Sequence, residues 1–442
     1  MKIFTQLILL VLFLQLSDTY KLILILVNKQ TVIASIITLL ILLIYILVHF
    51  KRFKSILKDS LFKSWLNIIF ILPIFFTTLH FFLGNLTFDD YQYWIPFITF
   101  FGCLYVVSVM IFKNTESSNQ INFLYGMALF AIIISFIITF INYDLMRGFM
   151  AVSRAKADIA DKTSFSGRAG GFYMQSNVAA KAIVSIGVVI MGTFLYNKSK
   201  LINIFFAILL LVMILFTGSR TALAIIFITI LIYLPPKIFS KSFARRDKQA
   251  RLLKLIIYAL IPIIAIISLL TIIGLSDLIA KFGFENLASR MDFLSNVGDA
   301  NIEDDVSFQY RMQTILDYSQ FIVRSLIIGY GPQERTNLIN SGVFSVGSQN
   351  EYLEGAFAYG ILYIFYYIHV LVKTFKRLDW QYSIYNSKAI LLKLYIVVLT
   401  LYGFSLNSFS LDRVHVIVIG SLIGLYLASI RKDSEEVESR IQ

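Results

Sequence analysis

The stretch "TVIASIITLLILLIYILVHFKRFKSILK" (residues 31–58) holds the argument for the fold in small. From Thr31 to His49 it carries no charge. From Lys51 to Lys58 it carries four basic residues. A bilayer-crossing helix needs about 17–25 mostly apolar residues, and cytoplasmic loops collect Lys and Arg. This segment therefore reads as one transmembrane helix followed by one cytoplasmic turn.

The same pattern recurs along the chain. The 442 residues are 58% hydrophobic and only 15% charged, with a mean hydropathy of +0.78. Soluble domains are about 45–50% apolar, so lipid must solvate much of this protein. Continuous apolar runs exclude a β-barrel, whose strands would alternate. The net charge of +13 is a membrane signature and does not require a nucleic-acid partner. The single cysteine, Cys103, excludes an internal disulfide and a Cys-rich metal site. The opening "MKIFTQLILLVLFLQL" lacks a small-x-small cleavage site and reads as a retained first helix.

Apolar runs of spanning length number about twelve. They fall near 3–19, 31–49, 62–84, 94–112, 121–142, 178–196, 201–217, 220–235, 252–274, 353–374, 389–408 and 414–430. The expectation is an all-α polytopic membrane protein, a single integral membrane domain over 1–442. With both termini inside, the Lys-rich loops at 51–58, 197–200, 237–251 and 373–378 share the cytoplasmic face. "NLTFDDYQY" (85–93), with no basic residue, lies outside.

Three further segments then face outward, a loop at 143–177, the break at 217–220 and a large loop at 275–352 between the ninth and tenth spans. The last is too long to lack structure of its own. Within it, "DDVSFQYRMQTILDYSQFIVRSLIIGYG" (304–331) has helical periodicity. Phe308, Met312, Ile315, Leu316, Ile322 and Val323 form one stripe, with Arg311 at its edge. The helix is expected to lie against the membrane domain or on its surface, and "GYGP" (329–332) ends it.

The charged residues on the outer side are the candidates for chemistry. Arg220 sits in "FTGSRTALAIIF" (216–227), a polar break between two apolar runs. The plain account is an arginine snorkelling to the interface. Against it, basic residues are unexpected on the outer face, and a helix N-terminus disfavours a cation unless an anion is bound. Helix N-terminal amides with a guanidinium fork suit a phosphate, and Ser219 or Thr217 can cap the helix. Arg168 lies among Gly167, Gly170 and Gly171, before Asn177. The glycines permit close approach to a ligand or simply make a flexible loop. Gln349, Asn350 and Glu351 precede a late span, and Glu354 falls about one turn into it. A carboxylate there is costly and often functional. Equally, Ser348 or Asn350 can cap the helix, with Glu351 favoured by the helix dipole. His49, His80, His369 and His415 lie in or beside apolar runs without ligand spacing and read as packed or interfacial. No phosphate-binding Gly-x-x-x-x-Gly-Lys loop is present.

Taken in order, "GRAGGFYMQSNVAA" (167–180), "FTGSRTALA" (216–224), "YRMQTILDYSQFIVRSLIIGYGP" (310–332) and "SQNEYLEGAFAYGILY" (348–363) resemble the O-antigen ligase and Wzy-type polymerase superfamily. The resemblance covers roughly 165–370. It implies a membrane glycosyltransferase of the GT-C type, acting on undecaprenyl-pyrophosphate-linked glycans at the outer face of the bacterial inner membrane. Arg168, Arg220 and Arg311 match family arginines expected to hold the pyrophosphate. Arg220 and Arg311, with Glu351 or Glu354 as base, would carry catalysis. Asn177, Gln349 and Asn350 would hydrogen-bond the glycan, with Tyr310, Phe344 and Tyr352 as stacking faces. Neither a metal nor another cofactor is implied. Ligases commonly carry His-Asn where this chain has Gln349-Asn350, and glutamine cannot hold a proton as imidazole can. The departure favours a polymerase, with a chain-length regulator as a possible partner. A ligase acting on lipid A core or protein is the runner-up. A lipid-linked-sugar flippase is further off, because the sequence shows neither repeated halves nor mid-span charge lines.

Overall fold

The structure, a computed structural model, describes residues 2–20, 31–114, 118–141, 171–173, 176–193, 200–219, 221–226, 228–229, 306–344, 350–377, 387–404 and 412–441. Among these the chain is helical, with no strand. Arg168, Arg220, Gln349 and Ser348, the span expected near 252–274, half of that expected near 220–235, most of the outer loop 143–177 and the first part of the outer loop 275–352 fall outside the described residues.

The helices are α1 (Lys2–Leu16), α2 (Thr31–Val48), α3 (Phe50–Ile56), α4 (Ser60–Leu66), α5 (Leu72–Phe82), α6 (Phe88–Asn114), α7 (Ser118–Ile141), α8 (Ser176–Thr193) and α9 (Lys200–Thr217). After these come α10 (Val306–Arg324), α11 (Glu334–Asn340), α12 (Glu351–Tyr359), α13 (Ile361–Arg377), α14 (Ser387–Gly403) and α15 (Arg413–Ile441). Among the described residues, five helices are long and apolar enough to cross a membrane, or six if the bent pair α2–α3 is one span. Two shorter apolar helices lie within α1 and α9, and α13 and α14 have 17 residues each. The protein is an all-α, multi-pass membrane protein.

Local sequence explains the irregularities. α2 and α3 meet at 82°, so the basic "KRFKSILK" turns aside as a short helix with Lys51, Arg52 and Lys54 exposed. α4 and α5 are joined through a π-helical turn, Asn67–Ile71. Pro73, without an N–H, follows it, and such a residue disturbs the i→i−4 ladder. α6 begins six residues earlier than the expected span at 94. Thr87 and Asp90 cap its start reciprocally, with the Thr87 hydroxyl donating to Asp90 Oδ2 at 2.7 Å and Asp90 N–H donating to Thr87 Oγ1 at 3.1 Å.

α8 is the central helix, buried over most of its length between α7, α9, α14 and α15. The most extensive seam joins α6 and α15. There "GSLIG" (420–424) brings two glycines against α6. A Cβ on Gly420 would lie 2.9 Å from the Tyr105 carbonyl oxygen, and one on Gly424 2.8 Å from that of Val109. Small residues four apart are how bilayer helices come close without a hydrophobic drive between them.

Contacts group the helix ends as an alternating path demands. Trp65 of α4 donates to Thr374 of α13 at 3.0 Å, and Arg377 pairs with Asp59 at 3.1 Å. At the opposite ends, His80 of α5 meets the Ile328 carbonyl at 2.9 Å, and Trp94 of α6 donates to Gln333 at 3.1 Å. The segment after α10 therefore sits over the far ends of α5 and α6.

Two expectations are corrected. The span expected at 353–374 is broken. α12 ends at Gly360, whose φ of 83° is left-handed, and α13 starts afresh. Glu354 thus belongs to a separate short helix and not to the first turn of a continuous span. α10 does lie against the protein, but of the described stripe residues only Ile322 packs there. Met312, Ile315, Leu316 and Val323 are exposed, while Thr314, Tyr318 and Ile322 are buried. Periodicity finds apolar positions, but the large rings decide which side packs. Tyr318 stacks on Phe344 with centroids 4.5 Å apart and tilts against Phe357 of α12 at 5.3 Å.

Candidate functional site

The break after α9 is built as its residues dictate. Thr217 returns its hydroxyl to the Ile214 carbonyl at 2.6 Å. Gly218 takes the left-handed conformation, φ 61°, which glycine adopts without a Cβ clash. Ser219 Oγ then accepts from the Ala222 N–H at 3.4 Å, and residues 221–226 are helical. Of the two hydroxyls proposed as caps, Ser219 takes that role. The break is therefore a helix C-terminus and a helix N-terminus back to back, with Thr217, Gly218 and Ser219 buried.

A second group of residues is assembled by α10, α11 and α12. The chain after α10 is laced to α12 through backbone. Tyr330 N–H donates to the Phe357 carbonyl at 2.7 Å, Gly331 N–H to that of Ala358 at 3.0 Å, and Ile361 N–H to that of Leu326 at 2.8 Å. Such close approach needs glycine on both sides. A Cβ on Gly329 would lie 2.5 Å from the Phe357 oxygen, and one on Gly360 2.0 Å from the Ile327 oxygen. His80 fastens the lace. Its Nε2 faces the Ile328 carbonyl, which can only accept, so Nε2 carries the proton and Nδ1 accepts from Asn85 at 3.1 Å.

Glu354 lies at the centre of this group. Arg335 of α11 donates to its Oε2 at 2.9 Å, and Tyr318 of α10 donates to its Oε1 at 3.2 Å. One carboxylate thus ties three helices together. Burial works to lower the pKa of Arg335. The charge and hydrogen bond of Glu354, with smaller contributions from Tyr318 and Glu351, more than offset it and hold the guanidinium above its usual value. Arg335 was missed in the sequence, where nothing marks it apart from other loop charges; its partner lies 19 residues on.

The neighbouring residues take definite places. Asn350 caps α12, its Oδ1 accepting from the N–H groups of Tyr352 at 3.0 Å and Leu353 at 3.1 Å. Glu351, at the start of α12, is buried. Tyr352 donates to the Thr400 carbonyl at 3.1 Å and packs on Phe404. Phe344 is buried against Tyr318, Phe321 and Phe357. For Tyr310 and Arg311 the backbone alone is described, in the first turns of α10. Arg311 precedes Tyr318 by seven residues, which is two helical turns along the same face.

A third polar centre lies where α1, α8 and α15 meet, and sequence reading did not anticipate it. Lys181 and Asp412 form a buried ion pair. Arg413 donates to Asp18 at 2.9 Å and Gln15 at 3.0 Å, and lies over the Tyr20 ring at 4.3 Å. Asp412 Oδ1 also caps α15, accepting from Val414 N–H at 2.8 Å. His415 bonds Tyr395, and Tyr173 donates to the Leu16 carbonyl. Asn177, half-exposed, is one turn from Lys181 on the same face of α8. The signal was a lone lysine inside an apolar run, which only becomes readable once Asp412 is beside it.

Residues 205–368 match the family model described as O-antigen ligase. The matched stretch includes the break at 217–220 and the α10–α12 group; the segment with Arg168 and Asn177 precedes it. No curated protein matches the chain.

Proposed function

We propose, taking as premise the O-antigen ligase and polymerase superfamily to which residues 205–368 assign this membrane protein, that the chain is a surface-polysaccharide polymerase. It would transfer a growing glycan from undecaprenyl pyrophosphate to the end sugar of a new lipid-linked repeat unit, at the outer face of the bacterial inner membrane. Its termini would then be cytoplasmic. The observation that carries the reading is the family match, whose one stretch takes in both the Gly218–Ser219 helix break and the α10–α12 group.

In the proposed reaction the acceptor hydroxyl attacks the anomeric carbon. The new glycosidic C–O bond forms as the C–O bond to pyrophosphate breaks, with inversion. The hydroxyl proton passes to a base, Glu351 or Glu354, and undecaprenyl pyrophosphate leaves. Arg168, Arg220 and Arg311 would stabilise the charge growing on the leaving group, where a guanidinium fork in a low-dielectric site is most effective. Asn177, Tyr310, Gln349, Asn350 and Tyr352 would line the glycan path. Gln349 in place of a histidine is what favours polymerase over ligase. Guanidinium groups supply the charge stabilisation, so the proposed step calls on no metal.

Deletion of the gene separates the readings. Loss of a polymerase leaves single repeat units on their normal acceptor. Long chains stranded on the lipid carrier would instead identify a ligase and overturn the polymerase reading. A chain-length regulator is the protein partner this reading calls for, detectable by co-purification with a shift in glycan length on its removal.

A further inference from the structure

α10 divides into three sectors at 100° per residue. Thr314, Tyr318, Phe321 and Ile322 occupy the one that packs on the protein. Gln313, Asp317, Gln320 and Arg324 occupy a second, polar one, with Gln313 donating to Asp317 at 2.8 Å. Met312, Ile315, Leu316 and Val323 occupy the third, between 39% and 74% exposed. A helix needs one apolar face to dock on its own protein. This helix has more: beside the packed sector, and continuous with it through Ile322 and Ile315, lies a second apolar sector that stays exposed among the described residues, with the polar strip closing the other side.

The uncovered face does not end at Val323. It runs on through Leu326 and Ile327, 47% and 62% exposed. Leu326 accepts the backbone hydrogen bond of Ile361, which places it beside the first turn of α13. There Leu362, Phe365, Ile368, Val372 and Phe375 form a single exposed apolar stripe along an amphipathic helix, the kind of surface that a helix of a multi-pass membrane protein can turn to lipid. The exposed apolar face of α10 is thus continuous with the exposed apolar stripe of α13. The junction lies beside His80 and Trp94, at the ends of α5 and α6, and tryptophan and tyrosine mark the level of the membrane–water interface.

We propose that α10 is an interfacial helix, lying along the bilayer surface. Met312, Leu316 and Val323 enter the acyl boundary, the Gln313–Arg324 strip faces water, and Tyr318 faces α12. Its partner is the lipid of the leaflet on that side. The arrangement follows the rule for helices that lie on a membrane: an apolar face buried in the headgroup and acyl boundary, and a polar face above it. The seating rests only on the exposed surfaces and not on the glycosyl-transfer reading.

The test is fluorescence quenching on the full chain in nanodiscs of phosphatidylethanolamine and phosphatidylglycerol, with an environment-sensitive probe on one introduced cysteine at a time. Leu316→Cys, Val323→Cys and Gln320→Cys sample the two sectors, and Met312→Cys replaces either apolar variant that does not fold. Doxyl-labelled lipid should quench the probes at 312, 316 and 323 several-fold more than the probe at 320, and aqueous iodide should show the reverse order. Equal access of iodide to both sectors would place the stripe in water and overturn the proposal. Protection of 316 and 323 from both quenchers would mean that a protein surface, a second copy or another chain, covers the face, and would overturn it equally.

Discussion

Lys181 shows what a single residue does in this fold. It is a cation in an apolar helix, tolerable because Asp412 neutralises it. Breaking a buried pair leaves one charge unmatched and costs about 3–5 kcal/mol. Lys181→Met should therefore lower the thermal unfolding midpoint of the purified protein sharply. Adding Asp412→Asn, which keeps an oxygen for the α15 cap, should recover much of the loss; no recovery would mean that the pair's charges are not the issue. Arg220 is tested differently, because its proposed role is chemical. Arg220→Ala should shorten surface glycan, with a transfer rate at least about 100-fold lower, as for loss of a group that stabilises developing charge. Arg220→Lys should rescue little, because an ammonium has no fork. Normal glycan length in a well-expressed Arg220→Ala strain would remove the pyrophosphate role. Arg220 was legible because it stands alone in a polar break. Lys181 and Arg335 were not, because each gains meaning only from a carboxylate that folding brings to it.

Among the elements, the lace between α10 and α12 and the seam between α6 and α15 are the most exposed to small changes. Gly360→Ala puts a methyl group into the Ile327 carbonyl at a positive φ. It should free the chain after α10 and speed limited proteolysis between α11 and α12; an unchanged cleavage rate would show that the lace does not hold this region. Gly424→Val presses two extra methyl groups and a Cβ onto the α6 backbone. Overpacking of this kind costs about 1–3 kcal/mol, read as a lower unfolding midpoint, whereas an unchanged midpoint would mean that the seam yields freely. Helix existence was legible from periodicity, as α10 and the capped start of α12 show. The break at Gly360 was not, because the apolar run continues through it without a polar residue. Nor was the packed face of α10, where two apolar faces compete and tertiary ring contacts choose between them.

For the whole molecule, composition and loop charge carry the membrane class and the alternating path, and the contacts of Trp65, Arg377, His80 and Trp94 group helix ends in the same way. The order of the Arg168, Arg220, Arg311 and Glu351–Glu354 segments carries the resemblance, and residues 205–368 match the O-antigen ligase family model. Chemistry is less legible than architecture, since motifs that resemble a family do not say which acceptor a glycan would reach. One measurement bears most directly on the central claim: purified protein incubated with a defined undecaprenyl-pyrophosphate-linked repeat unit, its products separated by length. A ladder of lipid-linked glycans, each step releasing undecaprenyl pyrophosphate, is the predicted result. Unchanged substrate with an active preparation, or transfer only when lipid A core or an acceptor protein is supplied, would contradict it.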